Sequence, residues 1–183
     1  DWVCQTVVNI LGAKVLAEVH NHHNFAWKEN HGGRDLWVVR KGATPSGPGV
    51  KGFVGGSMGD MSVILEGVES DENRQGFYST VHGAGRVMGR MEATGKTKTV
   101  TDPDGTKRTV TVREGKVTRE MLHDWIRPLG VELRGAGVDE SPHCYKRLPE
   151  VLRHHEASIK VLHVLTPLGV AMAGADEVDP YKD

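Results

Sequence analysis

A chain of 183 residues with 38% hydrophobic content can bury a core, and its length fits one ordinary domain or a piece of a larger one. A net charge of −1 excludes a global positive field, so any nucleic acid must be met by a local cluster. The two cysteines, Cys4 and Cys144, form no paired motif and suit a reducing, cytoplasmic compartment, and no apolar run reaches membrane-spanning length.

The chain opens at Asp1 on what reads as mid-domain helix, which predicts that an upstream part of the natural chain is absent. Residues 2–17 predict an amphipathic helix, because Val3, Val7, Leu11 and Val15 recur at helical spacing. Residues 18–27 predict an extended segment. There His20 and His22 share one face and His23 points the other way. Leu36–Val39 predicts a short buried strand that delivers Arg40-Lys41-Gly42-Ala43-Thr44 to a loop. The glycine-dense run Lys51–Gly59 leads into a strand over Met61–Leu65, and residues 69–75 predict a polar surface loop. Gly55-Gly56-Ser57 can expose several N–H donors with one hydroxyl, although an ordinary hairpin loop fits as well.

Thr97–Thr101 and Lys107–Val112 alternate Thr with Val around Asp102-Pro103-Asp104-Gly105, predicting a basic β-hairpin. Thr118 can cap a helix that runs to Arg127 and stops at Pro128 and Gly130. Arg134–Gly137 reads as loop. Asp139–Lys146 leads into a helix with Pro149 near its start. Residues 158–165 alternate as a strand, Pro167–Val170 closes the core, and 176–183 is a polar tail. The expected class is α+β, with one compact unit over 1–175.

The stretch around His82 concentrates the chemistry. His82 is followed by Gly83-Ala84-Gly85, and then by Arg86 and Arg90, four apart. Small residues let an anion approach the backbone N–H groups. A helix beginning near Ala84 would add its N-terminus and set both arginines on one face. A histidine beside such a cradle suits nucleophilic attack at phosphorus. Composition alone favours a plainer alternative, a Gly-rich turn entering a helix with a solvated basic face.

Several motifs stand in one order. They are His23-Asn24-Phe25-Ala26, Arg40–Thr44, Gly56-Ser57-Met58-Gly59 with Ser62, His82–Arg86, Asp139–Lys146 and Pro167–Val170. Together they resemble the carboxyl-terminal half of the RtcB family, GTP-dependent RNA-splicing ligases. The resemblance implies joining of RNA 2′,3′-cyclic phosphate or 3′-phosphate ends to 5′-hydroxyl ends, with GTP and Mn²⁺, through a histidine–GMP intermediate. It implies broken RNA, such as tRNA halves, as partner, and leaves an activating protein open. His82 aligns with the guanylylated histidine. His23 aligns with a metal ligand, and Asn24 beside it with a nucleotide contact. Gly55, Gly56, Ser57, Met58, Ser62, Gly83, Ala84 and Gly85 align with nucleotide contacts, and Tyr145 with a residue stacked on guanine. Lys41, Arg86 and Arg90 align with cations near the phosphates.

Three departures from the family accompany this. Its other metal ligands lie in an upstream half that this sequence does not contain, so the chain alone is expected to be catalytically defective. Met172 stands where the family places a lysine on guanine. The 97–112 hairpin is longer than the family's. An alternative is a catalytically incomplete nucleotide- or RNA-binding fragment. A structural half that pairs with another chain is a further one, while His20-Asn21-His22 as a nuclease motif has only a three-letter match.

Overall fold

The computed structural model describes residues 2–174, and the tail over 176–183, with Lys182, lies outside them. Helix α1, Trp2–Leu11, ends six residues before the predicted boundary. Gly12 adopts φ +59, the left-handed conformation that closes a helix, and Ala13 N–H bonds back to Val8. Strands β1 (Asn24–His31) and β2 (Arg34–Lys41) then pair antiparallel from Asn24↔Lys41 to His31↔Arg34. Gly32 and Gly33 both have positive φ, which suits the tight turn between strands of this twist. The strand expected over Leu36–Val39 is therefore longer than predicted. Nor is it buried, since Trp37 is 70% and Val39 73% exposed. Arg40, predicted in a loop, is buried at the end of β2, with Nη1 donating to Glu29 at 2.6 Å and Nε to Ser79 Oγ at 2.9 Å.

Gly42 alone interrupts the chain before β3 (Ala43–Pro45). Strands β4 (Lys51–Val54), β5 (Ser62–Gly67) and β10 (Ile159–Leu165) form one antiparallel sheet in the order β10-β5-β4. Val54, Val63 and Leu65 alternate onto its inner face and pack against Leu148 and Leu152 of helix α5, Leu148–Arg153. The loop Gly55–Gly59 hangs between β4 and β5 on this rigid support. Residues 69–75, expected as surface loop, contain a short helix, α2 (Asp71–Gln75). Ser70 Oγ caps it by accepting from Asn73 N–H, and the two acidic residues Asp71 and Glu72 favour its first turn. Asn73 is buried, and its amide donates to the carbonyls of Ser46, Val68 and Ser158.

Strand β6 (Ser79–Val81) pairs with β3. Helix α3 (Arg90–Thr94) precedes the predicted hairpin, β7 (Gly95–Thr101) and β8 (Lys107–Glu114). Helix α4 (Arg119–Ile126) is capped by Thr118 Oγ, which accepts from Met121 N–H; a 3₁₀ turn over Arg127–Leu129 and Gly130 at φ +65 end it. Its Leu122 and Ile126 meet Met58 and Val131 in a second core. Strand β9 (Glu132–Arg134) pairs in parallel with β11 (Gly169–Ala171), so part of the expected 134–137 loop is strand. Helices and several small sheets make the fold α+β, as the sequence predicts.

Candidate active site

His82 follows β6 directly. The register Ala43↔Val81 sets Gly42 against it, and a Cβ on Gly42 would lie 3.4 Å from His82 Nε2. Gly42 has φ +70, which an L side chain rarely adopts, and its N–H donates to His23 O at 2.8 Å and to Asn24 Oδ1 at 3.2 Å. These bonds hold His23 beside the same turn. Its ring stacks on that of His82, with centroids 4.9 Å apart and planes 7° from parallel. His20 and His22 instead meet each other edge to face at 5.0 Å. Partial burial, and then the neighbouring His23, push the His82 pKa below its ordinary value of 6.5. A neutral imidazole with a free nitrogen lone pair is the nucleophilic form. Lys41 is exposed at the end of β2, one residue from Gly42.

The segment after His82 is not the expected helix from Ala84. Helix α3 begins only at Arg90, and residues 83–88 run irregularly across other loops. Ala84 N–H donates to Gly55 O at 3.1 Å, Val87 N–H to Cys144 O at 2.8 Å, and Lys146 N–H to Gly85 O at 3.0 Å. Two distant segments, around Gly55 and over Cys144–Lys146, thereby satisfy backbone groups that a local helix would otherwise use. The anion-binding helix N-terminus predicted there is absent from the described residues. The small-residue cradle survives in another form. Gly83 bridges Gly55, and Gly85 at φ +77 has nothing within 4 Å of where a Cβ would stand.

Two cavities meet at Tyr145. One, about 340 Å³, is lined by Gly56, Ser57, Met58, Ser62, Tyr145 and Met172 among others. Ser57 Oγ is buried there without a hydrogen-bond partner among the described residues. The other, about 770 Å³, is the cleft over His82, Gly83, Ala84 and Gly85, walled by Tyr145 and Arg147. Both volumes fall in the range of small-molecule sites. Sequence reasoning had placed most of these residues in one site, but not Asp60, Arg147, His154 or His155. Asp60 is buried; it accepts from Met61 N–H and Arg147 Nη2 through Oδ1 and from Leu148 N–H through Oδ2, fixing the loop between the cavities. Arg147 directly follows Tyr145-Lys146 in the motif, and His154-His155 is a tandem pair after α5; those were the available signals.

Arg86 is turned toward protein acceptors. Its Nε donates to Met88 O at 3.0 Å, Nη1 to Tyr145 Oη at 2.8 Å and Nη2 to Asp139 O at 2.7 Å. Its guanidinium also lies 4.8 Å from the Tyr145 ring centroid. Tyr145 donates in turn to Glu140, which also pairs with Arg90. Burial, then the Glu140 carboxylate, push the Tyr145 pKa up to about 12, so the phenol stays neutral and keeps its proton. Arg86 and Arg90 converge on Asp139 and Glu140 although no helix face carries them both.

The fit to Mn²⁺ is poor. Among the described residues no three His, Cys, Asp or Glu side chains gather to hold a metal, and His23 offers one nitrogen. Cys144 is buried, and burial raises its thiol pKa, which works against a thiolate ligand.

Comparison with known proteins accounts for the motif order. The family profile described as "tRNA-splicing ligase RtcB" matches residues 1–173. The chain is 32% identical over 152 residues to the RNA-splicing ligase RtcB of Escherichia coli strain K12, covering 82% of this chain and 31% of that protein. It is 32% identical over 168 residues to the tRNA-splicing ligase RtcB of Thermococcus kodakarensis, covering 81% and 31%. The tRNA-splicing ligase RtcB of Pyrococcus abyssi is 30% identical over 180 residues, covering 88% and 18%. The chain thus spans a third or less of the length of these relatives, and by the profile match over residues 1–173 it belongs to the RtcB family.

Proposed function

We propose that this chain carries the nucleotide-accepting part of a GTP-dependent RNA ligase. In the first step His82 Nε2 attacks the α-phosphorus of GTP. A P–N bond forms, and pyrophosphate leaves with the electron pair of the broken P–O bond. The GMP then moves to an RNA 3′-phosphate, with a 2′,3′-cyclic end opened first. An RNA 5′-hydroxyl displaces GMP to close the phosphodiester.

The observation that carries this reading is the place of Tyr145. It lines both the 340 Å³ cavity and the His82 cleft, so a base seated in the first directs its phosphate toward the second. The unpartnered Ser57 hydroxyl supplies a hydrogen bond to the nucleotide, and Gly42, Gly83 and Gly85 keep side chains off its phosphate. The lowered pKa of His82 keeps its nitrogen unprotonated near pH 7. Mn²⁺ is proposed for the whole enzyme, with His23 as one ligand. The remaining ligands are proposed to come from the upstream part, in keeping with a chain that spans 31% of its Escherichia coli relative.

Incubation of the whole enzyme with α-phosphate-labelled GTP and Mn²⁺ should label it through an acid-labile, base-stable bond. A label that persists in His82→Ala overturns the assignment. The second reading, a fragment that binds nucleotide or RNA without turnover, draws on the lack of a three-ligand cluster among the described residues. Calorimetry on the whole enzyme separates the two: GMP binding there with no Mn²⁺ binding and no adduct favours the second reading.

A further inference from the structure

The hairpin β7–β8 lies outside the site built above and carries a surplus of cations. Five cations, Lys96, Lys98, Lys107, Arg108 and Arg113, stand against three carboxylates, Asp102, Asp104 and Glu114, a balance of +2 in a chain of −1. One pair is internal, Arg108 Nε to Asp102 Oδ2 at 2.9 Å. Lys96, Lys98 and Lys107 are exposed, and none makes an ion pair among the described residues.

The strand register sorts the two faces. Thr97 faces Thr111 and Thr99 faces Thr109, so one face is a ladder of hydroxyls that Lys107, opposite Thr101, extends. Lys98 and Arg108 lie on the other face beside Val110 and Val100, with Lys96 opposite Arg113. Exposed hydroxyls and cations suit a phosphodiester backbone, and the valines among them, with Val112 53% exposed, supply none of the aromatic anchors enriched in protein interfaces.

The hairpin is also aimed. Lys116 N–H donates to Glu92 O at 3.0 Å and Val117 N–H to Ala93 O at 3.1 Å, clamping its base to α3. Arg113 Nη2 donates to Met91 O at 2.8 Å. Between hairpin and site lies a groove of about 850 Å³ whose lining includes Arg86, Val87, Arg90, Met91, Arg113 and one carboxylate, Glu92. Val87 lines the His82 cleft as well, so the two hollows adjoin.

We infer that the β7–β8 hairpin is a phosphate-gripping finger that holds single-stranded RNA behind the end delivered to His82. This rests on the ligase reading for the identity of the strand. The strand wraps the edge of this two-stranded ribbon: Lys96 and Lys98 meet its phosphates on one face, and Lys107 with the threonine hydroxyls meets them on the other.

The test measures binding of the 183-residue chain to a fluorescently labelled, 3′-phosphorylated single-stranded RNA by anisotropy, across a salt series. Each lost phosphate contact lowers the log–log salt slope by about 0.7, so Lys96→Gln/Lys98→Gln/Lys107→Gln should lose about 2 in slope and roughly 100-fold in affinity at 0.1 M salt. Lys14→Gln/Lys51→Gln/Lys160→Gln removes the same charge elsewhere and should stay within about twofold of the wild type. Failure of the wild type to bind, equal losses in both triple variants, or no loss in the first overturns the proposal. So does competition by polyglutamate of equal charge as strong as that by RNA, which would mark a surface for acidic polypeptides. The measurement needs no nucleotide transfer. A His82 that proves not to be the nucleophile therefore leaves its outcome readable on its own.

Discussion

His23 and His82 stack face to face, 4.9 Å between centroids and 7° from parallel. Two imidazoles so placed resist carrying charge together, which is one cause of the lowered pKa of His82. His23→Ala should therefore move the His82 titration up toward 6.5, seen in the ring proton shifts by NMR. Because the folded pKa lies below the unfolded value, the unfolded chain takes up this proton first as pH falls below 6.5. The stability associated with neutral His82 is present above pH 6.5 and lost as pH falls through the folded value. The acid-side loss of melting temperature should shrink in His82→Gln. An unchanged acid limb in that variant would remove His82 from the account.

Gly42 faces His82 Nε2 from a backbone φ of +70, which an L side chain rarely adopts. Gly42→Ala should cost about 1–2 kcal/mol from the left-handed backbone alone. It also sets a methyl 3.4 Å from His82 Nε2, in the path of an approaching phosphate. The expected result is a modest fall in melting temperature with a much larger fall in GMP–adduct formation. Proportionate losses in both would show that the glycine serves only the turn.

Arg86 ties the segment after His82 to Tyr145 and Asp139 by two hydrogen bonds and braces that segment by a third to Met88 O, which gives it a part in the fold beside any role at phosphate. A cation serving only the phosphates, as the resemblance implies for Arg86, would leave melting nearly unchanged on Arg86→Ala. With these acceptors stranded, the variant should lose roughly 3 kcal/mol. In a chain of this size that is about 6–12 °C. Melting by circular dichroism checks it, and Arg86→Lys should recover little because one ammonium cannot replace the fork. A melting temperature within a degree or two of the wild type would return Arg86 to a purely electrostatic role.

Met172 lines the 340 Å³ cavity with Ser57, Ser62 and Tyr145. A thioether gives no hydrogen bond to a base edge, where a lysine would donate one. Met172→Lys should raise the preference for GMP over AMP by about one to two orders of magnitude, read by calorimetry. An equal preference in both proteins would mean that the base is selected elsewhere in the cavity.

Some features were legible in the sequence because their causes are local. Thr118 caps α4, and Asp102–Gly105 turns the β7–β8 hairpin, as their residue types predict. Motif order groups Ser57, Ser62, Tyr145, His82, Gly83 and Gly85 into one expected site, and the structure divides them between two cavities that share Tyr145. Only the tertiary structure decided the rest. A glycine-flanked run after His82 looks like a helix start, but its N–H and C=O groups are taken by Gly55, Cys144 and Lys146, dozens of residues away. Asn73 reads as surface polarity, yet it is buried because three carbonyls from separate segments converge on its amide. Trp37 and Val39 read as core, yet they face outward, since no described element covers that face of the β1–β2 hairpin. Periodicity and turn chemistry report what a residue prefers among its neighbours. Which carbonyl meets which amide across the fold depends on contacts whose partners the local sequence does not name.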